Sequence, residues 1–62
     1  MKQTYIVRYE TDLYKYTCAV NVPACGDRQI EIKTAADHVR VNLQGVRRVT
    51  SVTGPVHLYE AA

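Results

Sequence analysis

Apolar and polar positions alternate in two runs within the first 22 residues. Tyr5, Val7 and Tyr9 are interleaved with Ile6, Arg8 and Glu10. Tyr14, Tyr16, Cys18, Val20 and Val22 are then interleaved with Lys15, Thr17, Ala19 and Asn21. A period of two puts each set on one face of a strand. The polar stretch 10–13 between the runs predicts a turn, so the opening third reads as a β-hairpin with a tyrosine-rich inner face. Tyrosine brings a large ring and a hydroxyl that needs a partner when buried. The predicted core is therefore thin and wet at its rim.

Punctuation and period divide the rest of the chain. Pro23 lacks a donor and Gly26-Asp27 favours a turn, which ends the second strand. Ile30 and Ile32 alternate with Glu31 and Lys33, which predicts a short third strand over 29–33. Ala36, Val39, Leu43 and Val46 follow a spacing of three, four, three, a narrow helical stripe. Thr34 serves as its N-cap, Asp37 suits the first turn and Gly45 the stop, giving a helix within 34–46. A rival pattern overlaps it, because Val39, Val41 and Leu43 also alternate; a strand there would make a small all-β barrel. Residues 47–53 are rich in β-branched side chains and predict a fourth strand. Val49 and Val52 differ in parity there, which a bulge would reconcile. Gly54-Pro55 predicts a turn and 56–60 a last strand. The sum is one α+β domain over 1–62: an antiparallel sheet of four to five strands in the order β-β-β-α-β-β, with a single helix packed on one face.

One helix covers only one face of such a sheet. By alternation the other face carries Ile6, Arg8 and Glu10, then Lys15, Thr17 and Ala19, then Glu31 and Lys33, then His57 and Tyr59. It is mixed and slightly basic, which makes it the expected interaction surface; an ordinary solvated face is the competing reading.

Size and charge narrow the function. A chain of 62 residues buries only about 60% of its unfolded surface. It has little room for a deep pocket beside a core, which argues against a stand-alone enzyme. The net charge is +2, and Arg47-Arg48 is the one contiguous basic pair. That permits an anionic partner without demanding one. The N-terminus has no apolar run of the secretory kind, and no stretch has the length of a membrane span. The expected compartment is the cytoplasm of the cell that makes it. Cys18 and Cys25 would close a short loop if joined; a cytoplasmic setting predicts free thiols instead.

Tests for chemistry return little. Cys18, Cys25, His38 and His57 are zinc-ligand types, but the cysteines are seven apart and the histidines nineteen apart, which matches no zinc-binding motif. Ser51 has no nucleophile elbow, and Cys18 has no basic neighbour in sequence to activate it. The three glycines are isolated, so there is no phosphate cradle. The outer side of the predicted helix carries Asp37, His38, Arg40, Val41 and Gln44, which is not a groove-reading stripe. No catalytic residue, metal or cofactor is expected.

One layout is shared with a known group. Met1-Lys2 leads into a Tyr-Ile-Val strand, an Ile-Glu strand runs into a helix with Ala35-Ala36, and a glycine precedes Ser-Val-Thr-Gly-Pro-Val. This resembles the small phage-encoded anti-CRISPR proteins that inhibit type I systems, closest to those with a curved antiparallel sheet and one helix. The resemblance covers most of the chain in layout and few residues in identity. It implies a non-enzymatic inhibitor that binds a host defence nucleoprotein complex and blocks nucleic-acid engagement. Many such proteins are acidic mimics of DNA. This chain is weakly basic, so the expected contact is with an acidic protein surface or beside nucleic acid within the complex. Arg8, Lys15, Lys33, Arg47, Arg48 and Tyr59 are the expected partner-binding residues. A small basic nucleic-acid-binding module, using Arg47-Arg48 and the open sheet with Tyr59, is the alternative.

Overall fold

The computed structural model describes residues 1–56. Three strands and one helix run in the order β1 (Lys2–Glu10), β2 (Lys15–Pro23), α1 (Arg28–Asn42) and β3 (Arg48–Val56). The sheet order is β2-β1-β3, with both pairings antiparallel. The outer strands are thus parallel to each other, and α1 carries the chain between them across one face of the sheet.

The hairpin forms as its alternation predicts. Register pairs Tyr5 with Val20, Val7 with Cys18 and Tyr9 with Tyr16. Thr11 closes the loop: its N–H donates to the Tyr14 carbonyl at 2.9 Å, and its hydroxyl accepts from the N–H groups of Leu13 and Tyr14 at 3.3 and 3.2 Å.

The predicted order β-β-β-α-β-β is overturned by this three-strand arrangement. Residues 29–33 are not a strand but the opening of α1. Asp27, not Thr34, is the N-cap: its carboxylate accepts from the N–H groups of Gln29 at 2.9 Å and Ile30 at 3.4 Å. Such a cap satisfies two of the four N–H donors that a helix start leaves unpaired. Thr34 lies inside the helix and donates its hydroxyl back to the Ile30 carbonyl at 2.8 Å. The two isoleucines that suggested a strand diverge on the helix, with Ile32 half-buried and Ile30 exposed. The helical stripe is real but lies earlier than expected: Glu31, Ala35, Ala36 and Val39 are buried. Leu43 is the C-cap and 38% exposed, so it is not the core anchor that its spacing promised. Gly45, at φ 78°, turns the chain toward β3.

Gly54-Pro55 lies inside β3 and is not the turn expected from the sequence. The expected bulge between Val49 and Val52 is present: Arg8 pairs with Ser51 and Tyr9 with Val49, leaving Thr50 extra. A second bulge sets Tyr5 against Gly54 and Pro55, since Thr4 pairs with Val56 and Ile6 with Thr53. The strand expected over 56–60 falls, beyond Val56, outside the described residues.

The core lies between α1 and the inner sheet face. Tyr5, Val7, Val20, Val22, Ala35 and Val39 are buried together, with Tyr9, Cys18, Ile32, Val46, Val49 and Val52 packed at the edge. Each fully buried valine contributes about 1.5–3 kcal/mol, which is a large share of a small domain's net stability.

Candidate functional site

Cross-strand register determines which side chains share the uncovered face. Starting from the hairpin end, its rows are Lys15–Glu10–Arg48, Thr17–Arg8–Ser51, Ala19–Ile6–Thr53 and Asn21–Thr4–Val56. Arg8, Lys15 and Arg48 therefore fall in two adjacent rows. Glu10 sits among them, half-buried, and accepts from the Arg48 guanidinium at 3.3 Å. Among the described residues Arg8 and Lys15 make no ion pair. Thr17 is exposed beside Arg8, and Ser51 is half-exposed on its other side. Two cations without an ion pair among the described residues, flanked by two hydroxyls, thus lie on a solvent-facing surface.

Arg47 stands just outside β3. Its N–H donates to the Glu10 carbonyl at 2.8 Å, and its guanidinium pairs with Asp12 at 3.1 Å. Both side chains of that pair are more than two-thirds exposed, so the contact is weak and readily exchanged. Glu10, Thr11, Asp12, Arg47 and Arg48 line a surface hollow of about 480 Å³ at the hairpin end.

The structure divides the expected partner-binding residues. Arg8, Lys15 and Arg48 come together on the open face, with Arg47 at its margin. Lys33 does not join them: it is an exposed residue of α1, on the opposite side of the sheet. Glu31, expected on the open face, is buried beneath the helix. Both errors have one source, the assignment of 29–33 to a strand. Tyr59 and His57 lie outside the described residues.

Two features escaped the sequence reading. One is a tyrosine ladder on the inner face, beyond the helix. Tyr9 and Tyr16 stack with ring centroids 5.5 Å apart, and Tyr14 meets Tyr16 edge-on at 6.2 Å. Tyr14 is 64% and Tyr16 44% exposed. Their alternation was legible, but the extent of the helix that leaves them bare was not. The other is a buried polar knot. Glu31 accepts from the Tyr5 hydroxyl at 2.8 Å and from the Cys25 N–H at 3.1 Å. These bonds hold its carboxyl below the usual range against the opposing pull of burial. Burial, and then the hydrogen bond to Glu31, raises the Tyr5 hydroxyl above its ordinary value. The knot joins β1, the loop before α1 and the helix, and it faces the core, not a cleft.

Cys18 and Cys25 are free thiols, half-buried and exposed respectively. Burial pushes the Cys18 thiol up, which makes it less nucleophilic at neutral pH. Among the described residues no three His, Cys, Asp or Glu side chains converge as metal ligands, and no helix is long and apolar enough to cross a membrane.

No protein-family model matches the chain, and comparisons with curated proteins and with solved structures found no match.

Proposed function

We propose that this protein acts by stoichiometric binding, as a phage or mobile-element inhibitor whose open sheet face engages a host defence nucleoprotein complex. The observation that carries the reading is the unpaired Arg8 and Lys15 beside Thr17 and Ser51 on an uncovered sheet face. Cations with neighbouring hydroxyl donors fit carboxylate-rich protein surfaces and phosphate oxygens alike. Arg48 adds to the patch at its edge, where it also restrains Glu10. The class of partner comes from the sequence resemblance to type I anti-CRISPR proteins, of which the structure keeps an antiparallel sheet with one helix but not the Ile-Glu strand.

Binding of this kind occludes; it needs no turnover. The decisive measurement titrates the protein against a purified type I effector at several effector concentrations. Half-inhibition should rise in proportion to effector. Inactivation of a large molar excess would overturn the reading. Arg8→Glu with Lys15→Glu should weaken inhibition about tenfold or more with the fold intact.

The same patch favours a second reading, direct nucleic-acid binding. Gel shifts on duplex and single-stranded DNA across a salt series separate the two. Retention that falls steeply with salt, in the absence of effector, would establish the second.

A further inference from the structure

The two outer edges of the sheet differ in how well they are protected. The β3 edge is interrupted by two bulges, at Thr50 and at Gly54-Pro55. Pro55 offers no N–H, and the Gly54 carbonyl already accepts from Arg28 Nε at 2.9 Å. Bulges and proline are the usual devices that keep an edge from pairing.

The β2 edge has no bulge, and its one proline, Pro23, is its last residue. Its nine residues pair with β1 in unbroken register. The Tyr14 carbonyl accepts from Thr11 N–H and Ala24 N–H donates to the Met1 carbonyl, which places the even-numbered residues of β2 in hydrogen bonds with β1. Lys15, Thr17, Ala19 and Asn21 therefore turn their backbone groups outward. The six residues from Tyr16 to Asn21 carry no charge. Lys15 and Pro23 stand only at the two ends.

We infer that β2 is a homodimerisation edge, and that two copies pair antiparallel through it into a continuous six-stranded sheet. The occupant follows from the strand's own symmetry. A two-fold axis at Ala19 overlaps all nine residues of β2 and pairs Thr17 with Asn21 of the second copy and Lys15 with its Pro23. Each outward-facing residue then meets another outward-facing residue, as an antiparallel ladder requires. The two Lys15 side chains lie at opposite ends, so no like charges are opposed. Tyr16, 44% exposed in one copy, gains Val22 of the other as its neighbour. Adjacent strands lie about 4.8 Å apart, so the two central strands would be about 14 Å apart. Helices packed over them clear one another, since helix contact needs about 8–10 Å.

Light scattering on the full chain over a concentration series tests this. The mass should rise from 7.0 kDa toward twice that value. Ala19→Lys, at an exposed position, should remain monomeric with an unchanged circular dichroism spectrum, because the two lysines would meet at the axis. With Cys18 and Cys25 replaced by serine, Ala19→Cys should oxidise to a covalent dimer and Thr17→Cys should not. Paired Cα atoms about 5.5 Å apart permit that bridge. A parent chain that stays at 7.0 kDa up to about 1 mM overturns the inference. So does a dimer that survives Ala19→Lys, or crosslinking through Thr17→Cys in place of Ala19→Cys. If Ala19→Lys loses its fold, the crosslinking pair decides.

Discussion

The Tyr5 hydroxyl donates to Glu31 Oε1 at 2.8 Å, with both residues buried between the sheet and the helix. This bond ties the central strand to the first turn of α1. It also answers the hydroxyl's need for a partner in a core built on tyrosine. Removing the hydroxyl leaves a buried carboxylate with one fewer donor, which costs more than the bond itself contributed. Tyr5→Phe should lower the melting temperature by at least about 4 °C. Adding Glu31→Leu to Tyr5→Phe should recover part of the loss, as measured by a double-mutant cycle. Strict additivity would mean the two side chains are not coupled.

Acid and alkali should each weaken the fold through this pair. The Glu31 carboxyl is lowered from its ordinary 4.5 by the Tyr5 and Cys25 hydrogen bonds. Below 4.5 the unfolded chain takes up a proton before the folded one does, so stability present above that pH is lost as pH falls toward the folded value. The Tyr5 hydroxyl is raised from 10.0, so its contribution is complete below that pH and is lost as pH rises beyond it. Thermal melts from pH 3 to 11 check both limbs. Glu31→Gln should flatten the acid limb.

Val39 and Leu43 should exchange the importance that their spacing implies. Val39 is fully buried, whereas Leu43 is 38% exposed at the C-cap. Val39→Ala should cost about 1.5–3 kcal/mol and Leu43→Ala less than about 1 kcal/mol. Urea denaturation of the two variants measures the difference.

Asp27 and Gly54 act through the backbone. Asp27→Ala removes the cap and should cost about 0.5–2 kcal/mol. Gly54 has φ +144°, and a Cβ there would lie 2.9 Å from Tyr5 Cδ2 and 3.1 Å from the Thr4 carbonyl oxygen. Gly54→Ala should therefore destabilise the fold and disturb the Tyr5 ring. Denaturation and near-ultraviolet circular dichroism report the two effects.

The thiols should separate by rate. Exposed Cys25 should react with an alkylating reagent well before half-buried Cys18 in the native protein, and both should react after denaturation. Mass spectrometry of a time course shows the order.

The hairpin was legible in the sequence because a period of two is local information. The same holds for the Thr50 bulge, which the parity of Val49 and Val52 announced. It also holds for the two cations Arg8 and Lys15, whose common face follows from alternation and the loop position. Residues 28–33 were not legible in this way. Ile30 and Ile32 flank a glutamate, and over five residues that pattern is a strand by period alone. Two facts make it a helix: locally Asp27 caps the segment, and in the tertiary structure Glu31 finds a buried donor in Tyr5, 26 residues away. No local pattern reports a partner that distant, so a charged residue in a thin core reads as solvent-facing. The removal of Lys33 from the open face, the exposure of Leu43 and the bare tyrosine ladder all follow from that one shift in where the helix begins. Sequence by itself determined the two hairpin strands and their faces, because side-chain alternation is a property of the extended backbone. Only the tertiary structure decided that Glu31 turns into the core, because burying a carboxylate is stable only once the strand that supplies its hydrogen bond is in place.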